Sequence, residues 1–425
     1  MIKTILRKEH KNKWERRTCL TPETVKKLIT QGYPIDVETS EIRVFPDVEY
    51  VDQGCKIVGS PNSYQFVLGI KEPPVESIQQ GQIHLCFSHT HKGQSYNMPL
   101  LEKFRQQKAT LLDYELITDD NNNRTIAFGR YAGIAGAVDT LGLAGQKYQL
   151  QGNDSPLIQI NQSWQYRNES DIRKALNTVT IDNRQQLRVV IVGSGKVGRG
   201  AEEVCQWLGL PQLSAEDFIT GNLPLCSFYT VLSSRHIYRK KGQKVDVENF
   251  DFNDYLEKGS VAYESLFYEF LGQFDILIQT PYWEEKYPKL LPLNILQKYE
   301  KKLPLIVGDI SADIDGSLSC TKKSTDTDHP VYTYFPQSDS LEDGLKADGL
   351  AVMCIDNLPC ELSMDSSCHF SAILPEYIPA IMDMDLSLSW DKCNLPQNLK
   401  RATIVYQGEL TPQFAYLEQF LDASS

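Results

Sequence analysis

Apolar residues in the first third of the chain come in short runs, separated by polar stretches compatible with helices. Positions 2–6 (IKTIL), 35–37 (IDV), 66–70 (FVLGI), 83–87 (IHLCF) and 110–112 (TLL) have the length and apolar character of strands. Thr21-Pro22 offers N-cap and first-turn chemistry for a helix that Gly32 closes. Positions 99–107 (PLLEKFRQQ) form a second helix-compatible segment. Strands alternating with helices predict a parallel, doubly wound sheet.

The pattern begins again at 187–209, LRVVIVGSGKVGRGAEEVCQWLG, which reads as a buried strand, a glycine turn and a helix. Positions 274–280 (FDILIQT) and 303–313 (LPLIVGDISAD) look like further strands of that unit. The polar stretch 148–186, with QGNDSP and RNES, reads as a surface excursion near a domain boundary. After DNLP, positions 369–384 (HFSAILPEYIPAIMDM) look helical and return the chain to the first domain. The expectation is an α/β protein of two Rossmann-like, doubly wound parallel-sheet domains with an interdomain cleft. Residues 1–134 plus 361–425 would form a substrate domain, and 135–360 a dinucleotide-binding domain.

Composition narrows the class. The 425 residues are 41% hydrophobic and 23% charged, as in soluble globular proteins of more than one domain. No stretch approaches the roughly 20 apolar residues that cross a bilayer, so no membrane partner is expected. The N-terminal sequence lacks an apolar h-region, and the ten cysteines are scattered without CxxC pairs. Both features suggest reduced thiols, a cytoplasmic location and no metal site. A net charge of −12 argues against nucleic acid, which needs a basic face. Small anions would require locally gathered cations.

In VGSGKVGRGA, Gly193, Gly195 and Gly198 fit G-x-G-x-x-G between a strand and a helix. Gly193, Ser194, Gly195, Lys196, Val197 and Gly198 would wrap a pyrophosphate at the helix N-terminus. The alternative is an ordinary glycine-rich turn. An acid about 20 residues on would hold the ribose hydroxyl of NADH. Glu216 and Asp217 lie near that distance, although the preceding GLPQLSA is a poor strand. Downstream, SSRHIYRKK gathers Arg235, Arg239, Lys240 and Lys241, either as a solvated basic loop or as a partner for the 2′-phosphate of NADPH.

Three of the apolar runs of the first domain end on titratable groups. FVLGI runs into Lys71 and Glu72, IHLCF into His89, His91 and Lys92, and TLL into Asp113 and Glu115. In a parallel sheet, ligands bind beyond the carboxyl ends of the strands. Lys71 alone reads as a surface ion pair, and His89 alone as a strand cap. Together at adjacent strand ends they can move protons, if desolvation or nearby charge lowers the lysine. Arg16 and Arg17 follow the first strand at the same edge, while Arg124 and Arg130 flank the glycine-alanine segment IAFGRYAGIAGA. Several arginines suit a substrate with more than one carboxylate.

ERRTCLTP, GIKEPP, FSHTHKGQSYNMPLL, LLDYE, AFGRYAGIAGAVD, VLSSRH, GDISAD and CIDNLP follow one another in an order that resembles the lysine–2-oxoglutarate reductases. These are NADP-dependent, lysine-forming saccharopine dehydrogenases, the N-terminal half of aminoadipic semialdehyde synthase. A more distant resemblance extends to fungal NAD-dependent saccharopine dehydrogenases and to the alanine dehydrogenase fold. The resemblance implies condensation of L-lysine with 2-oxoglutarate and reduction of the imine by NADPH to saccharopine, with NADH as the alternative coenzyme. It implies Lys71 and His89 as the acid–base pair, and Arg17, Glu15, Glu72 and Glu115 in the substrate site with Arg124 and Arg130. Ser234, Arg235 and Asp313 would join the glycine turn beside the cofactor. Fungal NAD enzymes have an aromatic residue where Arg130 stands. The region after the glycine-turn helix departs from the family, so no coenzyme-specificity residue carries over. Competing readings are oxidative release of lysine with NAD, amination of a 2-oxo acid by ammonia, and a nucleotide-sensing scaffold. The last leaves Lys71, His89 and the arginines unexplained.

Overall fold

A computed structural model describes residues 2–121, 123–181, 186–244 and 246–422. Its contacts divide the chain into two compact units, Met1–Phe128 with Ser363–Ser425, and Gly129–Leu362.

The first unit is built on β1 (Thr4–Leu6), β2 (Ile35–Glu38), β3 (Ile57–Val58), β4 (Phe66–Leu68), β5 (Ile83–Cys86) and β6 (Thr110–Asp113). They lie in the order β3-β2-β1-β4-β5-β6, all parallel. Thr403–Tyr406 adds to β6 antiparallel, and Glu409–Leu410 follows it, so the sheet is mixed at one edge. β1, β4, β5 and β6 are buried along their whole length, as expected where elements cover both faces. On one face Leu6, Phe66, Leu68, Leu85 and Leu112 pack with Phe370, Tyr377 and Ile378. On the other, Cys86 and Leu111 meet Leu101, Phe104, Ile404 and Val405. The helix Pro22–Thr30 starts as the sequence predicts, with the Thr21 hydroxyl accepting the Thr24 N–H. The returning segment is not one helix over 369–384. It runs Ser363–Ile373, breaks into a 3-10 turn at Leu374–Glu376 and resumes at Ile378–Met382. Pro375 forces the break, because it has no N–H for the helical ladder.

The second unit has β7 (Arg188–Val192) and β8 (Phe228–Leu232) beside the parallel strands Ile276–Gln279, Ile306–Asp309 and Leu350–Met353. An antiparallel hairpin, Val331–Phe335 and Ser340–Asp343, closes one edge. The fold class is therefore α/β with two Rossmann-like sheets, each parallel at its centre and antiparallel at one edge. The helix Gly129–Leu150 packs closely on Lys196–Trp207. A Cβ at Gly133 would run into the Val197 carbonyl, and one at Gly200 into the Arg130 carbonyl. The expected boundaries were 134/135 and 360/361. The first turn of the long helix, Arg130 included, belongs to the second unit, and the divisions fall at 128/129 and 362/363. The polar stretch 148–186 is not all loop either, since Asn168 caps a helix over Glu169–Thr178. Residues 182–185 of that stretch lie outside the described residues. Among the described residues, no helix is long and apolar enough to cross a membrane.

Candidate active site

Because β4, β5 and β6 are parallel neighbours, Lys71-Glu72, His89 and Asp113–Glu115 emerge side by side at one edge of the sheet. His89 takes a left-handed backbone, φ 54°, so the chain turns sharply just past β5. Asp113, fully buried, makes that turn possible. Its Oδ2 accepts the Ser88 N–H at 2.8 Å, the Ser88 hydroxyl at 2.6 Å and the His89 N–H at 3.1 Å, while Oδ1 accepts the Glu115 N–H at 2.8 Å. Burial alone would push the Asp113 carboxyl up. The His91 ring, 3.8 Å away, and the Ser88 hydroxyl bond outweigh that and leave it below the usual carboxylate value. The sequence reading gave Asp113 no role of its own, and its position as the last residue of a strand was the available signal.

The imidazole of His89 points Nδ1 at Glu72 Oε1, 2.7 Å away, and lies 4.0 Å from Glu115 Oε2 through Nε2. Phe87 stacks against the ring at 6.3 Å between centroids. Burial pushes Glu72 up, but the His89 hydrogen bond and the charges of His89 and Lys71 carry it below the ordinary value. The Lys71 amine is held below the usual lysine value, first by burial and then by the positive charges of Arg17 and Lys11. Glu115 faces two cations, Arg124 at 3.3 Å and Lys92 at 3.4 Å, with the His91 ring 3.7 Å away.

The arginines divide. Arg17 lies 2% exposed and forks onto Glu15 with bonds of 2.7 and 2.6 Å, its guanidinium 4.4 Å above Phe128. Arg124 is half-exposed over Phe87 and pairs with Glu115. Arg130 belongs to the second unit. There it is clamped by Glu169, at 2.7 and 2.8 Å, and by Glu203.

In the second unit, β7 leads into Gly193 at φ 101°, and Gly195 caps the helix Lys196–Trp207. A Cβ at Gly198 would strike the Gly193 carbonyl, so the third glycine of the motif serves the close turn. A cavity of about 550 Å³ opens here, lined by Gly193, Ser194, Gly195, Lys196, Val197, Ser234, Arg235, Thr280 and Trp283 among others. Glycines without side chains, the free N–H groups of a helix start and a cavity above them fit a dinucleotide phosphate. Asp313 accepts the Trp283 N–H at 3.0 Å, and burial raises its carboxyl. A second cavity, about 490 Å³, is lined by Ser194, Ser214, Glu216, Ser233, Arg235 and His236. The second strand of the motif is β8, not the segment 209–215. The residues that follow it are therefore Ser233, Ser234 and Arg235. Asp217 instead lies inside a short helix that Ser214 caps, its carboxylate accepting the Ser214 hydroxyl and the Asn222 amide, while Glu216 reaches the second cavity.

Residues 5–135 match the family described as alanine dehydrogenase/PNT, N-terminal domain. Over nearly its whole length the chain is similar to alpha-aminoadipic semialdehyde synthase of Arabidopsis thaliana, at 34% identity over 96% of this chain and 40% of that protein. It is also similar to the saccharopine dehydrogenase [NAD(+), L-lysine-forming] of Yarrowia lipolytica, at 29% identity over 89% of this chain and 92% of the other. The chain spans about half the length, or less, of the semialdehyde synthases it matches. Its fold is that of an L-alanine dehydrogenase of known structure, with a TM-score of 0.63 at 16% identity over 99% of this chain and 100% of that one.

Proposed function

We propose that this chain condenses L-lysine with 2-oxoglutarate and reduces the resulting imine with NADPH to give saccharopine. The observation that carries the reading is the placement of a half-buried lysine, its amine held below the usual value, beside a Glu72–His89 pair at neighbouring strand ends. The homology to semialdehyde synthases and saccharopine dehydrogenases supplies the substrate class.

Lys71, neutral more readily than an ordinary lysine, takes the proton from the incoming ε-ammonium. The freed amine attacks the keto carbon to form a carbinolamine. Ionised Glu72 accepts Nδ1–H of His89 and fixes the ring, so Nε2 is the nitrogen that hands a proton to the departing hydroxyl. Water leaves and a protonated imine remains, which hydride converts to the secondary amine without a further proton. A bound nicotinamide coenzyme supplies that hydride. Arg124, with an exposed guanidinium, is the candidate for a 2-oxoglutarate carboxylate, and Glu115 for an amino group of the lysine. In the second unit the Gly193–Gly198 turn holds the pyrophosphate, and Ser234 and Arg235 hold the 2′-phosphate.

The position of Arg235 just past β8 supports NADPH. The second reading, NADH, is favoured by Glu216 on the same cavity. The test is spectrophotometric: NADPH oxidation followed with lysine plus 2-oxoglutarate, each omitted in turn, and with ammonia in place of lysine. Turnover that needs both substrates supports the reading. Turnover with ammonia alone, or none at all, overturns it.

A further inference from the structure

β4 stops at Leu68, so residues 69–72, which carry the lysine, run beyond its regular pairing. What holds them comes from the end of β1. The Arg7 guanidinium crosses over Gly69, where a Cβ would run into it, and its Nη2 donates to the Lys71 carbonyl. Its Nη1 donates to the Lys8 carbonyl at 2.8 Å and lies 3.3 Å from Glu9 Oε2. Glu9 in turn accepts the Ile70 N–H at 2.6 Å and the Lys71 N–H at 3.0 Å. One ion pair thus takes both backbone polar groups of Lys71.

That pair is almost wholly buried, Arg7 4% and Glu9 8% exposed. A buried ion pair is a poor means of stabilising a fold, since desolvation offsets most of the attraction and hydrocarbon of equal volume often serves as well. Burial pushes the Glu9 carboxyl up even with Arg7 beside it. What the pair supplies that hydrocarbon could not is two fixed acceptors and a fixed donor for one short stretch of backbone.

We infer that Arg7 and Glu9 are positioning residues, a buried clamp that fixes the Lys71 backbone and so aims its amine. The inference rests on the reading of Lys71 as the proton-transfer group. A reacting group displaced by about 1 Å loses on the order of 10²-fold in rate.

The test uses the whole chain with Arg7→Lys, Glu9→Gln, and the double variant Arg7→Met/Glu9→Leu, which removes both charges and leaves none unpaired. Two quantities are read. The first is kcat and KM in the reductive assay. The second is the pH profile with which trace acetic anhydride labels the Lys71 amine, followed by peptide mass spectrometry without turnover. Arg17, Lys11, Glu15 and Glu72, the charges that act on the amine, are unchanged in all three. The expected result is kcat lower by about 10- to 100-fold, KM for NADPH unchanged, and Lys71 labelling moved to higher pH as the amine reaches water. Folded protein, the double variant included, that keeps both the kcat and the labelling profile of the parent overturns the clamp. Absence of saccharopine formation in the parent would instead sink the proposed reaction, while the labelling profiles still decide the clamp.

Discussion

His89 Nδ1 stands 2.7 Å from Glu72 Oε1, and this contact joins the residues that follow two neighbouring strands. The left-handed backbone at His89 is disfavoured for a residue with a Cβ. It persists because Asp113 binds the N–H groups on both sides of the turn. The fold thus holds a strained residue where its imidazole meets a carboxylate.

Lys71→Met and His89→Gln should each lower turnover by about 10²–10⁴-fold, the usual contribution of a general acid or base. NADPH binding, measured by fluorescence titration, should stay as in the parent protein. Near-normal turnover across the pH range in both variants would remove the assignment.

Lys11 gives a finer check, because it is exposed and acts on Lys71 only through charge. Its positive charge helps hold the Lys71 amine down. Removing it makes Lys71 easier to protonate, so the rising acidic limb of kcat/KM should move to higher pH in Lys11→Gln. A limb that stays in place would mean that another group sets it.

Much of this site was legible in the sequence because it depends on period and punctuation. Apolar runs ending in charges gave β4, β5 and β6, and parallel pairing then fixed which charges meet. G-x-G-x-x-G gave the turn after β7. What stayed hidden depends on distance across the fold. Nothing local indicates that Arg7 and Glu9 reach Lys71, or that Arg17 turns to Glu15. The spacing rule for coenzyme choice meets a topological complication. An excursion containing the short helix Ala215–Ile219 separates the glycine-turn helix from β8, so counting from the glycines lands on Glu216 and Asp217. The antiparallel edges were missed because Thr403–Tyr406 and the hairpin over residues 331–343 sit in segments without a clear alternation.

The arginines should separate by unit. Arg124→Ala should raise KM for 2-oxoglutarate and leave KM for NADPH, since a half-exposed guanidinium is free to take a carboxylate. Arg130→Ala should leave both constants and instead destabilise the second unit. The loss is about 1 kcal/mol, small because the pairs with Glu169 and Glu203 are partly solvated. Urea unfolding with steady-state kinetics distinguishes the two. A raised KM for 2-oxoglutarate in Arg130→Ala would return it to the substrate site.

A buried acid predicts a pH effect on stability. Asp139 is raised well above the ordinary carboxylate value, first by burial and then by Glu361. The folded state keeps a proton that the unfolded chain releases, so this contribution is full below the unfolded pKa and is lost as pH rises through the folded one. Asp139→Asn keeps an oxygen for the Ser163 N–H, 2.7 Å from Oδ1 now, and needs no proton. Its melting temperature should therefore exceed the parent's most at alkaline pH. Parallel curves for the two proteins would show that the carboxyl is ionised in the fold.

Coenzyme preference rests on two groups of opposite charge around one cavity. Arg235 stands two residues beyond Ser233, where β8 has just ended, and Glu216 faces the same space with its side chain 64% exposed. A 2′-phosphate would form a charge-assisted bond with Arg235 worth roughly 1.5–3 kcal/mol, or about 10–150-fold in preference. Glu216 is exposed enough to turn into water when a phosphate enters, so the arginine should dominate. The parent should show higher kcat/KM with NADPH than with NADH, Arg235→Ala should narrow the gap, and Glu216→Gln should widen it by relieving repulsion. Added salt should weaken NADPH more than NADH, because only the former has the extra ionic contact. If the parent uses NADH as well or better, and Glu216→Gln lowers that use, the acid holds the ribose hydroxyl and the NADH reading replaces this one.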